Sequence, residues 1–232
     1  MRNRYSSIGL VSVFAFAPAM ATGANENENT KRIRVSAEVF DEMMGAPDKG
    51  VDRDLLRKAE CVGIVPDMKR VAFVAGAKYG KGVLVCREAS GRWSGPSVIR
   101  IEGGSFGFQI GAGETDLLFL VMNRHGEEKL MADKFTIGGD ASAMAGPLGR
   151  TAEAQTDALM RAEILAWSRS RGVYAGISLE GATLRPDRDD NWRLYGHAVT
   201  QREILTGRAS RPPGTGILYS ALERQGARIA RR

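Results

Sequence analysis

The stretch SVIRIEGGSFGFQIGAGETDLLFLV, residues 97–121, decides the fold. Its apolar residues recur with period two, as at Ile99 and Ile101 and again at Phe106 and Phe108, which is typical of β-strands. Glycines interrupt this alternation, and a glycine within a strand indicates a bulge, a bend or the close approach of another backbone. The stretch therefore predicts glycine-rich strands that belong to a strongly curved sheet or a small barrel.

The same pattern of short apolar runs separated by glycines extends on both sides of this stretch. From residue 76 to residue 150, 15 of the 75 residues are glycine, and short apolar runs such as GVLVC and FTIGG lie between them. Such runs, bounded by turn-forming residues, predict further strands. We expect Gly103, Gly104, Gly107 and Gly111 to lie where a nearby backbone or a positive φ excludes a side chain.

Helices are predicted on either side of the strands, from apolar residues at helical spacing and from residues suited to cap a helix. Two segments precede the strands, from Lys31 to Met44 and from Asp52 to about Ala59. Two follow them: a short helix that begins at the capping box of Thr200 and Glu203, and a helix from Ile217 to Gln225 that ends at Gly226. This order predicts an α+β fold with an antiparallel sheet and flanking N- and C-terminal helices. In the same interpretation RPDRDDN, residues 185–191, is a hairpin-like loop, and NWRLYG, residues 191–196, is a strand.

The composition supports a packed domain and excludes several classes of protein. Of the 232 residues, 43% are hydrophobic and 26% charged, which excludes disorder as the main state. Two cysteines exclude a disulfide-dense scaffold and a four-cysteine zinc site, and two histidines leave little room for a histidine-based site. We therefore predict no metal and no cofactor. Cys61 and Cys86 form a disulfide if their strands are neighbours, and otherwise they are buried free thiols.

The first residues have the pattern of a secretory signal peptide. Arg2 and Arg4 precede a short apolar run from Ile8 to Phe16, and Ala19-Met20-Ala21 is a cleavage site of the A-x-A type. The predicted organisation is a signal peptide over residues 1–21, a disordered lead-in over 22–30, a single domain over 31–226 and a basic tail over 227–232. The protein is therefore expected to be exported to the periplasm or cell envelope.

Positive charge is concentrated at the C-terminal end. The chain carries a net charge of +6, and residues 200–232 contain seven arginines and two glutamates, a net of +5. A basic segment of this kind contacts anionic lipid or nucleic acid, or is simply solvated. Because the chain is predicted to be exported, we expect no nucleic-acid partner.

Motifs for catalysis are weak in this sequence. Gly103-Gly104-Ser105-Phe106-Gly107 fits the G-x-S-x-G nucleophile elbow, but that elbow needs a helix after the turn, and here a strand pattern follows. The segment around Lys78 lacks the first glycine and the final hydroxyl residue of a P-loop. Residues 187–191 lack the spacing of a calcium loop. We therefore predict no enzymatic activity, with an envelope hydrolase that uses Ser105 as the alternative.

Seven segments, in order, carry a resemblance to a known family. They are KAECVGIVP, AKYGKGVLVCR, WSGPSVIRIEGGSFGFQIG, TDLLFLVMN, GGDASAMAGPLGR, SRSRGVYAGISLEGATL and NWRLYG. Together they resemble the SYLF-domain family of lipid-binding proteins, from about Val35 to about Leu222. The resemblance implies a non-enzymatic lipid-binding module, and eukaryotic members bind phosphoinositides and, in some cases, actin. This chain differs from those members in its predicted signal peptide, so anionic phospholipid is a better expectation than phosphoinositides or actin.

Two basic clusters are candidates for lipid contact. Lys31, Arg32 and Arg34 belong to the first predicted helix, whose apolar face can lie in a membrane interface or pack on the sheet. Lys78 and Lys81 belong to a predicted glycine-rich turn whose backbone amides can hold a phosphate, the alternative being a solvated turn. The sequence thus predicts a lipid-binding protein of the bacterial cell envelope. A structural or protein-interaction domain is the further alternative.

Overall fold

A computed structural model describes residues 27–46, 50–72, 75–106, 111–148 and 162–227. The predicted signal peptide lies outside these residues, as do Gly107 and residues 228–232 of the predicted basic tail. Within the described residues, no helix is both long enough and apolar enough to cross a membrane.

Helices flank a strand-rich middle, which confirms the predicted α+β fold. The helices are α1 (Glu28–Gly45), α2 (Arg53–Lys58), α3 (Arg124–Leu130), α4 (Arg188–Tyr195), α5 (Gln201–Leu205) and α6 (Gly216–Ala227). The strands are β1 (Cys61–Ala72), β2 (Ala75–Cys86), β3 (Ser97–Phe106), β4 (Gly111–Val121), β5 (Phe135–Thr136), β6 (Ala143–Ala145), β7 (Ile164–Ser170), β8 (Val173–Gly176) and β9 (Ala182–Pro186).

The strands form one strongly curled sheet with the shape of a half-barrel. The strand order is β5-β9-β3-β2-β1-β4-β7-β6, and β8 also pairs with β7. The pairing of β6 with β7 is parallel and the other pairings are antiparallel, so the prediction of an antiparallel sheet is wrong for that one pair. The four long strands β3, β2, β1 and β4 form the centre of the half-barrel.

Apolar side chains pack on both faces of this sheet. On the face that we call the helix face, α1, α2 and α6 cover strand residues such as Val83 and Leu118. On the inner face, the curl of the sheet together with α3 and α5 encloses a second core around Leu84 and Phe119. Successive residues of a strand point to opposite faces, so a strand buried on both faces reads as a continuous apolar run.

A bulge in β1 brings its backbone close to β2. The pairing of the two strands shifts between Ile64 and Lys69, and Asp67 within the shift has a φ of +48°. A Cβ on Gly82 would overlap the carbonyl oxygen of Ile64, and a Cβ on Gly80 would lie 2.6 Å from the side chain of Val65. Both glycines are therefore needed where the two backbones approach closely.

This packing corrects the predicted turn from Lys78 to Lys81. Both lysines lie within β2, and the turn prediction is wrong because the glycines beside them serve strand packing rather than chain reversal. The expectation for Gly103 is confirmed, since a Cβ there would lie 3.1 Å from the Cα of Ala182.

The segment that follows β9 is a helix and not the predicted hairpin-like loop and strand. The side chain of Asp187 accepts a hydrogen bond from the backbone N–H of Asp190 at 3.2 Å and caps α4. Asp189 and Asp190 lie in the first turn, where negative charge is favoured by the unpaired N–H groups and the helix dipole. Gly196, with a φ of +75°, ends the helix.

The remaining helix predictions are confirmed, with shifted boundaries at the start of α1 and at the end of α6, where Gly226 lies within the helix and not after it. Asp52 caps α2, and Thr200 forms the predicted capping box at the start of α5. Helix α1 begins at Glu28 because the Asn27 side chain accepts a hydrogen bond from the N–H of Asn29 at 3.1 Å. The predicted disordered lead-in is therefore wrong for residues 28–30.

Cys61 and Cys86 form a disulfide on the inner face. They are the first residue of β1 and the last residue of β2, and the antiparallel register places them directly opposite each other. Both are fully buried. Of the two alternatives that the sequence left open, the structure has the disulfide.

Candidate functional site

Three cations lie side by side across neighbouring strands on the helix face. Lys81 of β2 is paired with Arg100 of β3, which is paired in turn with Arg185 of β9. We call Lys81, Arg100 and Arg185 the cationic row. Like charges at directly paired positions of a sheet repel one another, so the row depends on negative charge close by.

Two buried carboxylates supply that charge. The Nζ of Lys81 lies 2.8 Å from a carboxylate oxygen of Asp187 and 2.8 Å from one of Asp190. The Nε of Arg100 lies 3.6 Å from Asp187. The side chains of Asp187 and Asp190 are 5% and 4% exposed, so the cations form the outer layer of the cluster.

Helix α1 is attached to the same cluster. The side-chain amide of Asn29 donates a hydrogen bond to the backbone carbonyl of Asp190 at 2.9 Å. Arg32 lies 3.4 Å from one carboxylate oxygen of Asp190, and Arg193 lies 2.9 Å from the other. Asp190 is therefore shared by cations from α1, β2 and α4.

Asn191 positions α4, and with it both carboxylates, against the start of β3. Its side-chain oxygen accepts a hydrogen bond from the N–H of Val98 at 2.7 Å, and its amide donates to the Val98 carbonyl at 3.0 Å. The side chain thus pairs with the strand as a further backbone would, and it is 1% exposed.

The pKa values of the cluster are consistent with paired charges. Burial alone would raise the pKa of Asp187, but the hydrogen bond from Lys81, the N–H of Asp190 and the charge of Arg100 hold it below its usual range. Burial alone would lower the pKa of Lys81, but its hydrogen bonds to Asp187 and Asp190 raise it. Both groups are charged at neutral pH.

The cluster has an excess of positive charge at its surface. Arg32, Arg193 and the cationic row contribute five cations, whereas Asp187, Asp190 and Glu102, which lies 4.0 Å from Arg185, contribute three carboxylates. Among the described residues, no hydrogen-bond acceptor meets the buried Nε atoms of Arg100 and Arg185. A surface with outward cations over buried carboxylates attracts anions.

The structure brings together part of the predicted lipid-contact set. Arg32 and Lys81, predicted in two separate clusters, meet at Asp190. Lys31 is exposed on α1, one residue away from Arg32. Arg34 instead pairs with Glu38 at 2.9 Å, as neighbours on one helix do.

Lys78 does not share a site with Lys81. The ladder between β2 and β3 is unbroken from Ala75 to Leu84, and residues three apart in a strand point to opposite faces. Lys81 lies on the helix face with Val83, whereas Lys78 lies on the inner face. The two lysines therefore cannot hold one phosphate group together.

The apolar face of α1 packs on the protein, which was one of the two expected arrangements. Ile33, Ala37, Phe40 and Met44 belong to the helix-face core and are between 0 and 4% exposed. In this conformation they are not available for insertion into a membrane interface, and the basic residues of α1 remain as its outer surface.

Ser105 does not have the setting of a nucleophile elbow. It lies within β3, where it pairs with Gly76 of β2, and not at a sharp turn between a strand and a helix. The expected hydrolase motif therefore lacks its structural context.

Sequence reasoning missed most of this cluster. Arg100 and Arg185 each stand alone in an apolar strand pattern, SVIRI and ATLRP, and such isolated charges are a signal for a polar site on one sheet face. Asp187 and Asp190 have the spacing of an N-cap and an N3 acid, which would have predicted α4. The pairing of the row itself depends on register and has no local signal.

Comparison with known proteins finds a matching family and several similar relatives. Residues 102–225 match the Ysc84 family, described as Las17-binding protein actin regulator. LAS seventeen-binding protein 3 of Saccharomyces cerevisiae is 34% identical over 203 residues, which are 86% of this chain and 44% of that protein. SH3 domain-containing YSC84-like protein 1 of Homo sapiens is 33% identical over 178 residues, 76% of this chain and 52% of that protein. The chain thus spans about half the length of these relatives.

Proposed function

Because this chain belongs to the Ysc84 family, the SYLF family that its sequence resembles, we propose that it is a non-enzymatic interaction domain that binds the anionic surface of a phospholipid membrane. One observation carries this proposal. The cationic row and its neighbours Arg32 and Arg193 form an outer layer of cations over two buried carboxylates. Phospholipid phosphates are the anions that this layer is proposed to contact.

The arrangement suits a surface more than a deep pocket. Arg193 is 61% exposed in its side chain, and Arg185, Arg100 and Lys81 are 42, 38 and 31% exposed, so the charges lie in a shallow band. Each lysine or arginine near an anionic membrane contributes about 1 kcal/mol of binding free energy. Several such contacts together give reversible binding that weakens with salt.

Flotation with vesicles of phosphatidylcholine, with and without phosphatidylglycerol, tests the proposal. We expect binding to require the anionic lipid and to decrease between 0.1 and 1 M salt, because the Debye length falls from about 10 Å to about 3 Å. The double variant Arg100→Gln/Arg185→Gln should bind about 30-fold more weakly, from two contacts of about 1 kcal/mol each. Arg57→Gln/Arg92→Gln removes the same charge from outside the row and should bind as the unmodified protein does.

The same assay separates the row from the helix cations predicted by sequence. Lys31→Gln/Arg34→Gln leaves the contacts of Asp190 in place and reports the contribution of α1 alone. Equal losses in the helix variant and in the Arg57/Arg92 control would exclude a specific role for α1. Binding that is unaffected by both the row variant and salt would contradict the proposed site and favour recognition of acyl chains. Vesicles that contain a phosphoinositide show whether a head group is preferred, as the resemblance implies.

We also propose that the protein is exported to the periplasm or cell envelope. The A-x-A motif at Ala19-Met20-Ala21 supports this, as does the Cys61–Cys86 disulfide, since disulfides persist in oxidising compartments. N-terminal sequencing of native protein should find a start at or near Thr22. An intact Met1 on protein from the cytosol would contradict export.

A protein partner of the actin-regulator kind is the second candidate. The observation in its favour is that the matching family is described as Las17-binding protein actin regulator. Co-sedimentation with actin filaments tests it, with the Arg100→Gln/Arg185→Gln variant alongside. Sedimentation with actin in the absence of any vesicle binding would replace the lipid proposal with this one.

A further inference from the structure

A cluster of potential metal ligands lies at one end of strands β1 and β2, and Lys78 lies toward the other end. Cys61 and Cys86 are directly paired there on the inner face, and Glu127 of α3 lies beside them. Both sulfur atoms and a carboxylate oxygen of Glu127 lie within 4.8 Å of one another. Two thiolates and a carboxylate are ligands that zinc accepts.

Glu127 is held in this position by the close approach of α3 to the sheet. The side chain of Asn123 accepts a hydrogen bond from the N–H of Gly126 at 2.9 Å and caps the helix. A Cβ on Gly126 would lie 2.9 Å from the side chain of Val121, the last residue of β4. Glycine at 126 therefore allows the helix to lie against the strand, and the next residue, Glu127, reaches the cysteines.

Glu127 is partly buried beside the two cysteines. Glu127 also lines a cavity of about 450 Å³ together with Glu60, Arg87 and Glu128. Glu127 thus borders both the two sulfur atoms and a cavity whose lining also includes Arg124 and Arg202.

We propose that Cys61, Cys86 and Glu127 bind one Zn²⁺ ion when the disulfide is reduced. A dithiol or phosphine reductant supplies two electrons to the sulfur–sulfur bond, two protons give two thiols, and Zn²⁺ displaces these protons as the thiolates bind. Ligand atoms at 2.0–2.3 Å from a tetrahedral zinc are roughly 3.3–3.8 Å apart, so small side-chain rotations suffice. A water molecule from the cavity is the fourth ligand. The disulfide and the metal are alternative states of the same two sulfur atoms.

Cobalt titration of the reduced full chain, without oxygen, tests this site. Co²⁺ is the probe because its bonds to thiolate give an absorption band in the near ultraviolet. We expect one Co²⁺ per chain, displaced by Zn²⁺, and no band in the disulfide form. Glu127→Gln should weaken binding at least tenfold, whereas Glu128→Gln, which removes the same charge from the same helix and cavity wall, should bind as the unmodified protein does.

Reduction itself could unfold the chain, so melting is followed in parallel. Zn²⁺ should raise the melting temperature of the reduced chain, or restore its fold if it has unfolded, and Mg²⁺ should do neither. The absence of a cobalt band, or a reduced chain that Zn²⁺ neither stabilises nor refolds, would overturn the proposal. Equal affinities of the Glu127→Gln and Glu128→Gln variants would overturn it as well.

Discussion

The two ends of the central strands differ in how closely their glycines are surrounded. At the end that holds the disulfide, which comprises residues 61–65, 82–86, 97–99 and 117–121, the side chains are fully buried. There a Cβ on Gly63 would overlap the ring of Phe119, and one on Gly82 would overlap the backbone of Ile64. We call this part the disulfide end.

At the other end, residues 69–72, 75–80, 102–106 and 111–115, Gly80 and Gly103 lie close to a neighbour, but glycine leaves space open at Gly113. Nothing lies within 4 Å of the position of a Cβ on Gly113, and Lys69, Ala77 and Tyr79 are exposed. We call this part the glycine end. The comparison shows that glycine makes room where another strand or a core side chain approaches and leaves space open at Gly113, where nothing does.

The largest effect is expected from Gly82→Ala at the disulfide end. The added methyl group would overlap backbone atoms of Ile64 and Val65, which cannot rotate away. We expect the free energy of unfolding to fall by about 3 kcal/mol, as for overpacking in a rigid core. Denaturant unfolding measures it, and a loss below about 0.5 kcal/mol, typical of surface sites, would mean that this end is as open as the other.

Loss of the disulfide comes next. The bond closes a loop with a sequence separation of 25 residues, and such a bond typically contributes about 2–3 kcal/mol. The double variant Cys61→Ala/Cys86→Ala should lower the unfolding free energy by that amount in the absence of metal. Hydrogen exchange should locate the loss at the disulfide end, and equal loosening of the glycine end would contradict the contrast.

A smaller effect is expected from pH at the cluster between the two ends. The pKa of Asp187 is lowered from 3.8, so its stabilisation is present above pH 3.8 and is lost as the pH falls below that value. The pKa of Lys81 is raised from 10.5, so its stabilisation is present below pH 10.5 and is lost as the pH rises above that value.

Asp187→Asn keeps the helix cap but removes the charge. We expect it to cost about 1 kcal/mol at neutral pH, since hydrogen bonds to charged groups are strong but Lys81 is partly solvated. In this variant, the free energy of unfolding should decrease less at acid pH and less at alkaline pH than in the unmodified protein. Asp54→Asn, which breaks the exposed pair with Arg57, is the control, and an equal effect there would show that the cluster is ordinary surface charge.

The smallest effect is expected from Gly113→Ala at the glycine end. Space is open at this position, so the unfolding free energy should change by less than about 0.5 kcal/mol. The matched pair of Gly82→Ala and Gly113→Ala makes the same chemical change in both ends. Similar losses of unfolding free energy in the two variants would contradict the difference between the two ends.

The sequence predicted those features whose cause lies within a few residues. Asp52 and Thr200 were correctly identified as caps because a capping side chain acts on N–H groups two or three positions away. The prediction for the α4 segment was wrong. The segment is short and highly charged, and Trp192 and Tyr195 favour a strand on propensity alone. The glycines beside Lys78 and Lys81 are typical of a turn, and the bulge in β1 that requires them lies on another strand.

By itself the sequence determined the α+β class, the curvature of the sheet, the caps of α2 and α5 and the family, because period, caps and motifs are local properties of the chain. The tertiary structure alone decided that Cys61 faces Cys86, and that Lys81 stands beside Arg100 and above Asp190, a residue 109 positions away. Strand register is the physical reason. A shift of one residue would move each side chain to the other face, and burial on both faces at the disulfide end, rather than any local signal, selects the register that places these groups together.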